Sequence, residues 1–164
     1  MNILLIIILT LFAIFSRLIP HPPNFTPLLA IALYSGISFK NKTLFVIPLV
    51  AMIVSDIFLG YHSSILWVYL SLLIIFYIGY ISFEKYSFSN LMLLSLISSL
   101  MFFILTNFGV WVIGYPKTFE GIVACYIAAI PFSQNTLFST ILFSTIFHFS
   151  YKYSVLFNSK KELV

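Results

Sequence analysis

The chain has 164 residues, of which 62% are hydrophobic and only 7% are charged. A soluble domain usually has ~25% charged residues, so this chain cannot cover a water-facing surface, and an isolated soluble domain is excluded. A disordered chain is excluded because disorder requires low hydrophobicity. A nucleic-acid-binding protein is excluded because it requires a basic face, whereas the net charge of +4 comes from scattered residues. The class that remains is an integral membrane protein.

The apolar segments predict an all-α polytopic membrane helix bundle with six transmembrane helices. A membrane helix needs roughly 20 residues, and the segments are separated by short polar or proline-rich loops. The predicted spans are residues 2–18, 26–39, 43–59, 64–82, 91–108 (extending to 113 at most) and 136–157. They form a single transmembrane domain over residues 1–157, followed by a polar tail over residues 158–164.

The first apolar segment, residues 2–18, has two interpretations. A secretory signal peptide would have a basic residue before the apolar run and a small-residue cleavage site after it. This segment has neither, so we expect it to be a retained membrane span.

The loop over residues 20–27 contains four prolines, which exclude helix interior and predict a rigid connection. The short second span that follows contains Ala32 and Gly36, a small-residue pair at helical spacing. Such a pair permits close approach of two helices. We expect that contact to be made inside this chain rather than with another protein.

The segment 122–130 is apolar but too short to cross a bilayer alone. Pro131 and the polar residues 133–135 follow it directly. We expect a half-helix or re-entrant segment here, because irregular backbone at membrane depth is tolerated where it lines a cavity.

The distribution of basic residues predicts the orientation of the six spans, since cytoplasmic loops carry an excess of Lys and Arg. The basic residues on one side are Lys40, Lys42, Lys85, Lys152, Lys160 and Lys161, and those on the other are Arg17 and Lys117. Both termini are therefore predicted to be cytoplasmic.

Polar residues inside spans are costly and need an explanation. Asp56 lies about 14 residues beyond Lys42, or roughly 21 Å along the third helix, and Arg17 lies at a similar depth. Other polar and aromatic groups fall in the same outer layer. The candidate substrate-binding residues are Arg17, His21, Asn24, Asp56, Trp67, Asn107, Trp111, Tyr126 and Asn135.

This one-sided layer predicts a solute pocket that opens outward. Arg17 and Asp56 would provide charge, the three asparagines would donate and accept hydrogen bonds, and Trp67, Trp111 and Tyr126 would stack on the solute. The alternative is a structural Arg17–Asp56 ion pair with an interfacial aromatic belt.

No catalytic or metal-binding motif accompanies these residues, so we expect neither an enzyme nor a cofactor. His21, His62 and Asp56 lack metal-ligand spacing, and no metal site is predicted. His148, on the last span, is expected to be a packed histidine or one that extends toward the membrane surface, rather than a ligand.

Two blocks of sequence resemble a known family. The first is residues 17–27 with Ser55-Asp56, and the second is residues 107–111 with 125–132 and 135–137. Together they resemble an uncharacterised family of small bacterial inner-membrane proteins that are assigned to transport. That family is similar to the S components, the substrate-binding subunits of energy-coupling-factor (ECF) transporters.

The resemblance implies a subunit that binds a vitamin-like micronutrient from outside and works with a membrane coupling protein and ATPase subunits. The first span lacks the Ala-x-x-x-Ala docking pattern of S components, and Met1-Asn2 differs from the Met-His start of nickel and cobalt S components. Two alternatives remain: a stand-alone ion-coupled secondary carrier with Asp56 as the titrating group, and a non-transporting structural membrane subunit.

Overall fold

The computed structural model describes residues 3–38 and 41–161, and the side chains of residues 7–38 and 41–153. All regular secondary structure in these residues is helical, which confirms the predicted all-α class. The helices are α1 (Ile3–Leu18), α2 (Leu28–Ser38), α3 (Val46–Leu59), α4 (Ile65–Ile81), α5 (Phe88–Gly114) and α6 (Phe119–Lys161). Short 3₁₀ helices, Lys42–Phe45 and Phe83–Lys85, precede α3 and follow α4.

Three helical segments are long and apolar enough to cross a membrane: Lys42–Leu59, Phe88–Gly114 and Phe119–Tyr153. The other described apolar helices, Ile7–Leu18, Leu28–Ser38 and Ile65–Ile81, are shorter. The structure therefore supports a membrane protein with three candidate spans.

The helices alternate in direction between two ends of the bundle. Arg17 in the last turn of α1 contacts Asp56 near the end of α3, and Asp56 contacts Tyr69 near the start of α4. At the opposite end, Lys42 lies 5.9 Å from the ring centroid of Tyr80. We call the end that contains Arg17 and Asp56 the cavity end.

Helix α2 lies at the centre of the bundle. Every residue from Leu28 to Ile37 is buried, as expected for a helix that is apolar on all sides. Its eleven residues span only about 16 Å, roughly half the ~30 Å hydrocarbon thickness of a bilayer. Helix α2 is thus an internal core element surrounded by longer helices.

Two glycines allow α2 to cross α4 closely. A Cβ atom on Gly36 would overlap the carbonyl oxygen of Phe76, and one on Gly79 would overlap that of Leu33. Because the obstructing atoms are backbone, neither position has room for a side chain. The prediction that the Ala32–Gly36 face serves packing within the chain is confirmed.

Helices α5 and α6 form a long antiparallel hairpin. Near its middle, Ser95 Oγ donates to Ser144 Oγ at 3.1 Å. Closer to the connecting loop, Tyr126 Oη donates to the carbonyl of Ile104 at 2.8 Å. This pairing holds α6 against α5 along most of its length.

The predicted half-helix over residues 122–130 is wrong, because α6 continues through Pro131. The polar side chains after the proline bond to the helix itself: Ser133 Oγ donates to Ile130 O and Thr136 Oγ1 to Phe132 O. Apolar surroundings favour such continuation, since an irregular backbone would leave several polar groups unsatisfied whereas a helical proline loses one hydrogen bond.

The forty-three residues of α6 span about 65 Å, roughly twice the ~30 Å hydrocarbon core. Helix α6 extends to Lys161, so the first part of the predicted tail over residues 158–164 is helical. Residues 162–164 lie outside the described part of the chain.

Candidate functional site: a polar cavity

A cavity of about 480 Å³ opens at the cavity end of the bundle. Every one of the six helices contributes to its wall, as do the loop over residues 20–27 and the α3–α4 turn. The polar wall residues are Arg17, His21, Asn24, Thr26, His62, Ser64, Thr106 and Thr136, and the apolar ones are Leu28, Leu29, Met52, Leu59, Val68 and Phe102.

A second cavity of about 90 Å³ lies beside the first and shares part of its wall. Asn24, Phe102, Thr106 and Thr136 line both spaces, and Asn107 lines only the smaller one. The two cavities are thus adjacent compartments of one polar region.

Arg17 reaches the wall from the last turn of α1. Ala13 and Ile14 are buried one turn earlier, so the same helix face directs Arg17 into the bundle. Its Nη2 lies 2.8 Å from Asp56 Oδ1, and its Nη1 donates to Ser55 Oγ at 2.5 Å. These contacts fix the guanidinium against α3.

Asp56 lies behind Arg17 and is absent from the described wall of the cavity. It is only 1% exposed. Oδ1 is paired with Arg17, and Oδ2 accepts a hydrogen bond from Tyr69 Oη at 2.9 Å. The buried carboxylate is thus compensated by an ion pair at Oδ1, which has no aligned hydrogen bond, and by a hydrogen bond at Oδ2.

The loop over residues 20–27 covers one side of the cavity and is tied to α6. Asn135 Nδ2 donates to Pro23 O at 3.0 Å, and Ser139 Oγ lies 3.4 Å from Asn24 O while also lying 3.0 Å from Thr136 O in its own helix. Asn24 has φ of 63°, a left-handed conformation that asparagine tolerates better than most residues. Its conformation presents the Asn24 side chain to both cavities.

Two histidines contribute to the wall. His21 Nδ1 lies 2.8 Å from Pro22 O, and because a carbonyl can only accept, Nδ1 carries the proton. In the neutral ring, Nε2 is then an acceptor. His62 Nδ1 lies 3.2 Å from Ser64 Oγ, so each ring is oriented by a neighbour in its own loop.

The tryptophans predicted to stack on a solute make packing contacts instead. Trp67 meets the ring of Phe108 edge-on at 5.1 Å and covers Gly109. Trp111 Nε1 donates to Pro116 O at 3.0 Å, and Lys117 lies over the Trp111 ring. Neither tryptophan belongs to the described wall of the two cavities.

Tyr126 and Asn135 also act as braces. Tyr126 joins α6 to α5 through Ile104 O, and Asn135 joins α6 to the loop over residues 20–27. Among the nine predicted site residues, the structure therefore places Arg17, His21 and Asn24 on the large cavity and Asn107 on the small one.

Several wall residues are absent from the predicted set, notably Thr26, Ser64, Phe102 and Thr106. Hydroxyl residues are common in apolar helices because they bond to their own backbone, as Thr106 Oγ1 does to Phe102 O at 2.7 Å. The one signal available is the one-turn spacing of Phe102 and Thr106, which places them on the same helix face.

Within the described residues, no three His, Cys, Asp or Glu side chains come together as metal ligands. His148 is packed at the opposite end, as predicted, with Nδ1 2.6 Å from Tyr86 Oη and its ring 5.1 Å from Phe88. A further cavity of about 290 Å³, between α5 and α6, has a mainly apolar lining. The 480 Å³ cavity, which has a charged residue and several polar residues in its wall, is therefore taken as the candidate ligand site.

The chain belongs to DUF6580, a family of unknown function whose model matches residues 1–161. Neither a curated protein nor a solved structure matches the chain.

Proposed function

We propose that this protein is an integral membrane protein that binds a small solute in the 480 Å³ cavity and takes part in its transport. The observation that carries the proposal is the cavity itself, with the Arg17 guanidinium fixed in its wall. Its volume falls within the ~300–1,000 Å³ of small-molecule sites, which combine an apolar lining with a few placed polar groups.

The proposed topology has six spans, both termini in the cytoplasm of a bacterium and the cavity open to the outside of the inner membrane. The positions of the basic residues support it. Arg17 and Lys117 lie toward the cavity end, whereas Lys42 and Lys85 adjoin the opposite end of the bundle.

The proposed role is that of a substrate-binding subunit similar to the S components of ECF transporters, with a vitamin-like micronutrient as solute. The chain has no nucleotide-binding motif, so an ATP-driven cycle would require a membrane coupling protein with ATPase subunits. No catalytic motif accompanies the cavity, and the proposal involves no enzymatic step and no cofactor.

The environment of Asp56 favours this role over a stand-alone ion-coupled carrier. Asp56 is buried, paired with Arg17, bonded to Tyr69 and absent from the described cavity wall, so it is not placed where a transported ion would contact it. A purely structural subunit accounts for the braces made by Tyr126 and Asn135, but it gives no reason for a polar cavity.

The proposal is tested by mass spectrometry of small molecules that co-purify with the protein. Thr106→Trp would fill the cavity, and Ser150→Trp would place the same side chain on an exposed face of α6. We expect a solute with the wild type and with Ser150→Trp, and its loss with Thr106→Trp. An unchanged solute profile in Thr106→Trp, or no solute with any form, would contradict the proposal.

A further inference from the structure

The guanidinium of Arg17 keeps donors available after all its contacts with the protein. It has five N–H groups. Nη1 faces Ser55 Oγ and Met52 O, and Nη2 faces Asp56 Oδ1. No acceptor from the described part of the chain contacts Nε, and the Nη2 contact with Asp56 Oδ1 is an ion pair without an aligned hydrogen bond. Nε–H and the Nη2–H beside it therefore have no hydrogen-bond acceptor among those residues.

These two donors lie on one edge of a planar group, the arrangement that binds a carboxylate through two parallel hydrogen bonds. The hydrogen-bond acceptors that α3 offers, Ser55 Oγ and Met52 O, are both bonded to Nη1, which is not part of this edge. Since Arg17 is a wall residue and its side chain is only 15% exposed, a carboxylate bound here would be largely shielded from water.

The charges around the cavity favour one negative charge on the solute. The described wall contains no Asp or Glu, so nothing in it would compensate a cation. Asp56, which is absent from the wall, offsets part of the positive charge of Arg17 from behind, so the site offers less positive charge than a phosphate dianion would require.

The other wall residues indicate the chemistry of the uncharged part of the solute. Leu28, Leu29 and Phe102 provide apolar surface, and the hydroxyls of Thr26 and Thr136 offer hydrogen bonds. A molecule that matches this wall has an apolar or aromatic part with a small number of polar groups, in addition to its charged end.

We infer that the solute is a small organic monoanion whose carboxylate is bound by the free edge of the Arg17 guanidinium. This inference rests on the proposed function and names the chemical class of its substrate. Arg17 would then have two roles, since one end of the guanidinium holds α3 and the other edge holds the solute.

The test uses probes that share a body and differ in charge. Indole-3-acetate, indole-3-acetamide and tryptamine form one series, and nicotinate, nicotinamide and 3-picolylamine form another, with inorganic phosphate as a further arm. Affinities are measured by equilibrium dialysis with the purified full-length protein in nanodiscs. We expect the carboxylates to bind about 10-fold or more tightly than the amides, and the amines and phosphate to bind least.

The outcomes separate this inference from the proposed function. If amides, amines or phosphate bind as well as the carboxylates, or if the solute that co-purifies is neutral or cationic, the inference is wrong and the proposed function stands. If no probe binds and no solute co-purifies, both fail.

A pair of variants tests whether Arg17 causes the preference for carboxylates over amides. The double substitution Arg17→Gln with Asp56→Asn removes both charges and leaves no unpaired ion, so we expect the fold to be retained, which thermal unfolding checks. We expect carboxylate affinity to fall about 10- to 100-fold and the preference for carboxylate over amide to be lost, whereas Lys85→Gln, at an exposed site remote from the cavity, keeps the wild-type preference. Retention of that preference by the double variant would overturn the inference.

Discussion

At the scale of single residues, the burial of Asp56 is explained by its two contacts. Arg17 pairs with one carboxylate oxygen and Tyr69 donates to the other. In a low-dielectric interior, the loss of one member of such a pair leaves an uncompensated charge. The pair therefore joins α1, α3 and α4, whatever the cavity binds.

Asp56→Asn is expected to lower the free energy of unfolding by about 3–5 kcal/mol, because the Arg17 charge loses its buried partner. Thermal unfolding of the detergent-solubilised protein measures the effect. The double variant Arg17→Gln with Asp56→Asn should melt closer to the wild type than Asp56→Asn alone. Equal melting temperatures for Asp56→Asn and the wild type would show that the pair contributes no stability.

The sequence predicts the depth of the polar residues but not the direction of each side chain. Counting along the third span places Asp56 near Arg17, and the two are in contact. Trp67 and Trp111 lie at the cavity end too, yet they pack away from the cavity. The depth of a residue in the membrane follows from the helical rise of about 1.5 Å per residue. The direction of its side chain depends on how each helix is rotated relative to its neighbours.

At the scale of helices, α4 and α5 meet through a large residue and a small one. The Trp67 ring lies directly over Gly109, where a Cβ atom would overlap ring atoms. Phe108 supports the same ring from the side. The contact depends on the absence of a side chain at Gly109.

Gly109→Ala is expected to destabilise the protein by about 1–3 kcal/mol, because the added methyl group forces the Trp67 ring to move. Gly114→Ala is the matched control, since a Cβ atom there meets nothing within 4 Å. Both variants are compared by thermal unfolding and by tryptophan fluorescence. A Gly109→Ala protein that melts together with the control would show that this packing is loose.

The helices predicted from hydrophobicity alone agree with the structure where loops are marked by proline and polar residues, as at residues 20–27. The disagreement is in α6, where the same signals occur inside a helix. Pro131 and Ser133 resemble a helix break in sequence, yet the helix continues and packs against α5. Local composition cannot report that tertiary pairing.

At the scale of the whole molecule, the two ends of the bundle differ in chemistry. The cavity and its polar wall occupy one end, and the Tyr86–His148 contact and Lys42 lie at the other. This difference matches the asymmetry of a membrane protein that meets its solute on one side only. It also makes the proposed orientation directly testable.

The orientation is tested with single cysteines in a Cys125→Ala background. Tyr61→Cys lies in the exposed α3–α4 turn and Lys85→Cys at the opposite end. We expect a membrane-impermeant maleimide to label Tyr61→Cys in intact spheroplasts and Lys85→Cys only after lysis, because the proposed orientation places the lysine-rich side in the cytoplasm. The reverse labelling pattern would invert the topology.

The short central helix α2 has a consequence for biogenesis. With eleven residues, all but the last of them buried, it is too short to be stable in lipid by itself. Its glycine crossing requires α4, which is synthesised later. We therefore expect α2 to stay at the insertion machinery, without packing in the bilayer, until α4 has been synthesised. The N-terminal half of the bundle would then assemble only after α4 emerges.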